Sequence, residues 1–227
     1  MKVTTIVSLL LTGIGATVIA TSAPASAASF SFDNISGGDT VGDAFASNFS
    51  FDVTDNGGGK VLFKFLNNAS STQALKQVAF SVDNSVSGIL STMVLNVGNS
   101  PNVLFESKKN TQNLAQSNNI SGWNETFGAD TKGANSNAVQ SGESLGITFN
   151  ANYNTVLTAI NAGTLKLGIH VGSLPNGKSD SYVNSVPTPT TSVPEPSTLF
   201  GVGLAFGIAT LFKANNDKKW KQEKFKA

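Results

Sequence analysis

The 227-residue sequence contains no cysteine, its 15 basic residues are all lysine, and His170 is its one histidine. The first absence removes disulfides, thiolate nucleophiles and cysteine-based metal sites together. A single histidine leaves no set of nitrogen ligands for a catalytic zinc, which takes about three protein ligands, usually with histidine among them. Charge is sparse at 13% and the formal net charge is +1. That balance hides an asymmetry. Residues 28–192 hold 8 Lys against 11 Asp plus Glu, and six more Lys follow Phe212. The basic residues form a tail, not a patch for gripping nucleic acid, so no nucleic-acid partner is expected. Abundant Asn, Ser, Thr and Gly fit a β protein with many turns, held outside the cytoplasm by core packing alone.

Residues 1–27 read as a signal peptide. Lys2 supplies the positive start, Val3 to Ala20 is uncharged and largely apolar, and Ala25-Ser26-Ala27 places small residues where a signal peptidase requires them. Cleavage is expected before Ala28, with the general secretion machinery as the first partner. The alternative, an uncleaved anchor, is disfavoured by the small-residue run Ser22–Ala28.

Four segments close the chain. Residues 185–192 (SVPTPTTS) form a Pro/Thr-rich linker, expected to be extended. Val193-Pro194-Glu195-Pro196-Ser197-Thr198 follows, then an uncharged segment from Leu199 to Phe212, then the Lys-rich residues 213–227. As a helix the uncharged segment is roughly 21 Å long against a hydrocarbon core of about 30 Å. Lys213 can snorkel to extend the reach, and a strained span results. Lys213, Lys218, Lys219 and Lys221 mark that end as cytoplasmic. The middle of the chain then lies on the far side of the membrane, as the signal peptide independently requires. Gly203 and Gly207 have the spacing of a helix-dimer motif, which Gly-rich apolar segments also produce by chance.

Residues 193–227, VPEPST followed by a short Gly-rich apolar segment and a basic end, resemble a PEP-CTERM sorting domain, the substrate tail of exosortases. The resemblance implies an exosortase-like processing partner, transient or permanent anchoring through the C-terminal helix, and delivery to the cell surface or the extracellular polysaccharide. The chain departs from the family pattern in two ways. Its basic cluster is lysine where the family usually has arginine, and most of it lies several residues beyond the helix.

Residues 28–184 alternate with period two in several places. Phe49, Phe51 and Val53 share a face, TDNGGG (54–59) makes a turn, and Val61, Phe63 and Phe65 continue beyond it, predicting a hairpin with one apolar face. Further strands are predicted at Ser29–Asp33, Val78–Asp83, Ile89–Val97, Val103–Glu106, Leu145–Asn150 and Leu165–Val171. One short helix is predicted at Thr155–Ala162, with Asn154 as cap and Gly163 as terminator. These elements predict an all-β domain, mainly an antiparallel sandwich of jelly-roll type, with the signal helix and the C-terminal hydrophobic helix outside it. Thr111–Gly142 lacks pattern and reads as a long loop around Trp123 and Phe127. Gly168–Val171 followed by Ser179–Asn184 also resembles the final strands of small PEP-CTERM ectodomains.

Candidate chemistry is thin. His170 lies on a predicted strand, but no G-x-S-x-G elbow accompanies it. Glu106, Glu125 and Glu143 supply carboxyls without any spacing that selects a glycosidase pair. Gly57-Gly58-Gly59-Lys60 lacks the first glycine and the closing hydroxyl of a phosphate loop. Calcium takes hard oxygen ligands on loops, and Asp33, Asp39 and Asp43, or Asp52 and Asp55, provide some. Neither group has EF-hand spacing, and Asx turns account for them more simply, so no cofactor is expected. The expectation is therefore a non-enzymatic surface or matrix protein associated with extracellular polysaccharide. The alternative is a carbohydrate-binding module in which Trp123, Asn119 and Asn124 contact sugar. A secreted hydrolase ranks third.

Overall fold

A computed structural model describes residues 27–108 and 113–185. The signal segment before Ala27, the linker beyond Ser185 and the whole sorting tail lie outside the described residues. Ten strands follow the chain: β1 (Ala27–Asn34), β2 (Phe49–Asp55), β3 (Lys60–Asn67), β4 (Ala74–Val82), β5 (Ser91–Leu95), β6 (Phe105–Ser107), β7 (Glu125–Thr131), β8 (Ser144–Asn150), β9 (Leu165–Leu174) and β10 (Lys178–Asn184). One α-helix, α1 (Tyr153–Asn161), stands between β8 and β9. No helix among the described residues is long and apolar enough to cross a membrane.

The predicted hairpin forms as β2 and β3, paired Phe51 to Phe65 and Val53 to Phe63. Its alternating Phe49, Phe51, Val53, Val61, Phe63 and Phe65 are all fully buried. Each such side chain contributes about 1.5–3 kcal/mol by leaving water. The turn needs its three glycines, because Gly57, Gly58 and Gly59 all have φ between 58° and 71°. Asp55 helps close it by accepting the Gly57 N–H at 3.0 Å.

All strands pair antiparallel in one sheet, in the order β5-β8-β3-β2-β1-β10-β9-β4-β7-β6. The fold turns on β1. Ala27–Ser31 pair with β2, whereas Phe32–Asn34 pair with β10. The sheet bends there and closes face to face, as rings from opposite halves demonstrate. Phe80 of β4 meets Phe63 of β3 at 5.2 Å and Phe149 of β8 at 4.9 Å, both edge-on. Phe49 of β2 stacks on Tyr182 of β10 at 6.0 Å. The domain is thus all-β and antiparallel as expected, with one barrel-like sheet supplying both layers.

Three details differ from expectation. The helix begins at Tyr153, because Asn152, not Asn154, caps it by accepting the Thr155 N–H at 3.0 Å. Gly163 ends it with φ +70°. The segment read as a patternless loop contains β7, an interior strand between β4 and β6. β5 is shorter than predicted, and Thr92 within it has φ +52°.

Candidate functional site

The outer face of the β10-β9-β4-β7 half carries two adjacent cross-strand rows of opposite character. One is small and apolar. Val183 faces Gly168, Gly168 faces Ala79, and Ala79 faces Gly128. Residues 113–124, leading into β7, form a strap over this row. Its Leu114 and Trp123 sit where a Cβ on Gly168 would go, the Trp123 ring carbon 2.9 Å from that position. Leu114 packs with Ile35 and Ala79 into a second, minor core, bordered by Ile120, Trp123 and Val183. Further ties hold the strap. The Ser81 hydroxyl accepts the Asn124 N–H at 2.8 Å, and Glu125 accepts the Leu114 N–H at 2.8 Å. Lys108 pairs with the other Glu125 oxygen at 3.4 Å, both side chains being about nine-tenths buried.

The second row is polar. In register it runs Glu106 on β6, Asp130 on β7, Gln77 on β4, His170 on β9 and Ser181 on β10. A β-bulge between Leu75 and Gln77 adds a residue to β4 here. Leu75 and Val78 stay in the core, so Lys76 and Gln77 both turn outward. Lys76 lies across Gly172, where a Cβ would meet its Cε at 2.5 Å. The carbonyl of Lys76 accepts the Thr131 hydroxyl at 3.0 Å. Lys76, Gln77, Asp130, Thr131, Gly133, Asn135 and His170 line an open cleft of about 340 Å³.

His170 is held at one wall. Its Nδ1 lies 2.9 Å from the Ser181 hydroxyl. Burial, with Lys76 and Lys108 adding to it, pushes the imidazole below its ordinary pKa, against the opposing pull of Asp180. Ser181 has no exposed surface, so its hydroxyl orients the imidazole and does not present a nucleophile to the cleft. Opposite, burial raises the Asp130 carboxyl above the ordinary carboxylate value, Lys108 partly opposing and Glu106 reinforcing the shift. Asp130 and Lys76 make no ion pair with each other or with any described residue. The Gln77 Nε2 is buried with no hydrogen-bond partner among the described residues.

Of the residues singled out in the sequence, His170 lines this cleft and Glu106 ends its polar row, whereas the others lie apart from it. Trp123 is half-buried against Gly168, its Nε1 buried and unpaired. Asn119 is exposed and donates to the Ser36 carbonyl at 2.7 Å. Asn124 is exposed and fixed through its backbone to Ser81. Asp39 accepts the Val41 N–H and pairs with Lys178 at 3.1 Å. Asp52 accepts from Ser29, and Asp33 and Asp43 are exposed. Among the described residues no three His, Asp or Glu side chains converge on a metal position. Ala27, at the predicted signal cleavage, is the exposed first residue of β1. Ala25 and residues 193–227 lie outside the described residues. The cleft was missed because it depends on the bulge. Its one signal was two adjacent polar residues, Lys76 and Gln77, inside an otherwise apolar strand.

No family model and no curated protein matches the chain. A solved structure described as "pH-induced modulation of Streptococcus parasanguinis adhesion by Fap1 fimbriae" is similar over 75% of this chain and 99% of that one, at 9% identity and a TM-score of 0.36, a likeness too distant to carry an argument.

Proposed function

We propose that the chain is an exported surface or extracellular-matrix protein, sorted through its PEP-CTERM-like tail by an exosortase-like enzyme, with a non-catalytic β domain associated with extracellular polysaccharide. The observation that carries this reading is where the folded strands fall between the two sequence signals. β1 starts at Ala27, at the predicted signal cleavage, and β10 ends at Asn184, just before the linker. Cleavage before Ala28 costs the sheet one exposed residue. At the other end the N–H of Ser185, the first linker residue, donates to the Ser31 carbonyl at 3.1 Å and ties the end of the domain to β1. The described strands thus run from Ala27 to Asn184, the span that the sequence assigns to the domain.

The test is the intact mass of native protein recovered separately from membranes and from the extracellular fraction. The expected extracellular species lacks residues 1–27 and everything from about Pro194-Glu195-Pro196 onward. A chain intact through Ala227 and confined to membranes would overturn processing and leave a permanent anchor.

A further inference from the structure

We propose that the cleft over the β4 bulge binds a neutral polyhydroxylated ligand, a saccharide unit held through its hydroxyls by Asp130, Gln77 and Lys76. Its ligand chemistry is set by what the cleft leaves unused. Among the described residues Asp130 offers a carboxylate with no partner, Gln77 a buried amide N–H₂ with no acceptor, and Lys76 an ammonium with no counter-ion. A buried polar group without a partner costs about 1–3 kcal/mol, so leaving the Gln77 amide unpaired beside a half-buried carboxylate and ammonium is not an arrangement for stability.

Charge narrows the class. Lys76 and Asp130 cancel, and His170 is held neutral by burial, so the lining favours a ligand of no net charge over a phosphate. Every lining residue but Gly133 carries a polar side-chain group, so a ligand there can be oriented by hydrogen bonds while its carbons rest on the side-chain carbons. Register narrows it further. Asp130 and Gln77 are direct cross-strand partners, which brings their side chains about 4.5–5.5 Å apart at Cβ. An acceptor and a donor side by side suit a hydroxyl, which donates to one and accepts from the other. The ammonium and carboxylate of a zwitterion each do only half of that. A volume near 340 Å³ lies in the range of small-ligand sites.

The fold also builds the site deliberately. The bulge turns Lys76 outward, Gly172 leaves the space it crosses, and the Thr131 hydroxyl donates to the Lys76 carbonyl within the bulge. Bulges recur beside functional sites because they re-aim side chains in this way. The apolar strap covers the neighbouring row and leaves this one open.

The extracellular origin of such a saccharide rests on the export reading above, whereas the chemistry of the cleft does not. The experiment is calorimetric and ligand-observed NMR titration of the purified full-length chain. The panel is glucose, galactose, mannose, N-acetylglucosamine and their disaccharides, with glycine and inorganic phosphate as charged controls. The expected result is binding of at least one sugar, weakened about tenfold or more by Asp130→Asn or Gln77→Ala, in line with loss of a hydrogen bond to a charged or buried group. Asn119→Ala and Asn124→Ala, on the strap, leave it unchanged. Thermal melts establish that each variant is folded. The proposal is overturned if no sugar binds, if glycine or phosphate binds in their place, or if binding survives both cleft variants. Sugar binding by a chain whose tail is never processed would sink the processing part of that reading and leave the cleft's chemistry standing.

Discussion

The side-chain amide of Asn96 binds the backbone of Phe105 in both directions, Nδ2 donating to its carbonyl at 2.8 Å and Oδ1 accepting its N–H at 2.9 Å. Asn96 follows β5 and Phe105 opens β6, the two end strands of the sheet. One residue thus supplies the ladder contact that the two edges do not make with each other. Asn99 extends the junction by donating to Asn96 and to the Val103 carbonyl.

Asn96→Gly is expected to destabilise the domain by about 1–3 kcal/mol, for losing two part-buried amide hydrogen bonds. Glycine is the informative replacement because Asn96 has φ +61°, where alanine would add backbone strain of its own. Urea unfolding reads the change as a lower midpoint at constant slope. An unchanged midpoint would mean that the closure carries no stability.

Two glycines without left-handed backbones separate rigid from yielding neighbours. A Cβ on Gly146 would fall on the backbone carbonyl oxygen of Val97, which already accepts no room from the strand beside it because Val97 N–H donates to the Gly146 carbonyl at 2.9 Å. A Cβ on Gly172 would meet only the far end of Lys76. Gly146→Ala is therefore expected to cost about 1–3 kcal/mol or more, and Gly172→Ala less than about 1 kcal/mol. Gly172→Ala should instead act on the cleft, by displacing Lys76. Parallel denaturation curves check the ranking, and equal losses would contradict it.

The parts of this fold that show in the sequence are those where one face is apolar and the other is not. The β2-β3 hairpin declares itself because Phe49, Phe51, Phe63 and Phe65 alternate around three glycines. β7 does not, because only Phe127 and Ala129 point inward and its remaining positions are polar or glycine. His170 was legible as a strand residue beside Gly168 and Gly172. What it faces was not, since register across β4 and β10 is set by pairing far apart in the chain. The bulge hid the cleft most fully. A strict period of two would put either Lys76 or Gln77 in the core, and the extra residue in β4 lets both face out. Trp123 drew attention as an aromatic among asparagines, whereas its ring lies against Gly168 as part of the strap.

The two titrating groups of the cleft should leave opposite marks on stability against pH. Asp130 has its pKa raised from the ordinary 3.8, chiefly by burial, with Glu106 adding to the shift and Lys108 opposing it. Between the unfolded and folded values the native state binds more protons, so stability falls as pH rises through the folded value. Asp130→Asn should therefore melt higher than the parent at neutral pH, and the gain should vanish below 3.8. His170 has its pKa lowered from 6.5 by burial, by Lys76 and by Lys108, with Asp180 opposing. Its unfolded form takes up the proton first, so stability falls as pH drops below 6.5. His170→Gln should match the parent's pH slope above 6.5 and lose less stability below it. Melting temperature measured across pH for the two variants separates the windows. A neutral-pH loss in Asp130→Asn would mean that the carboxylate is already compensated in the folded chain. A saccharide hydroxyl donating to Asp130 would supply that compensation from outside. Bound ligand should then shrink the Asp130→Asn advantage, which ties the stability cost of the cleft to its use.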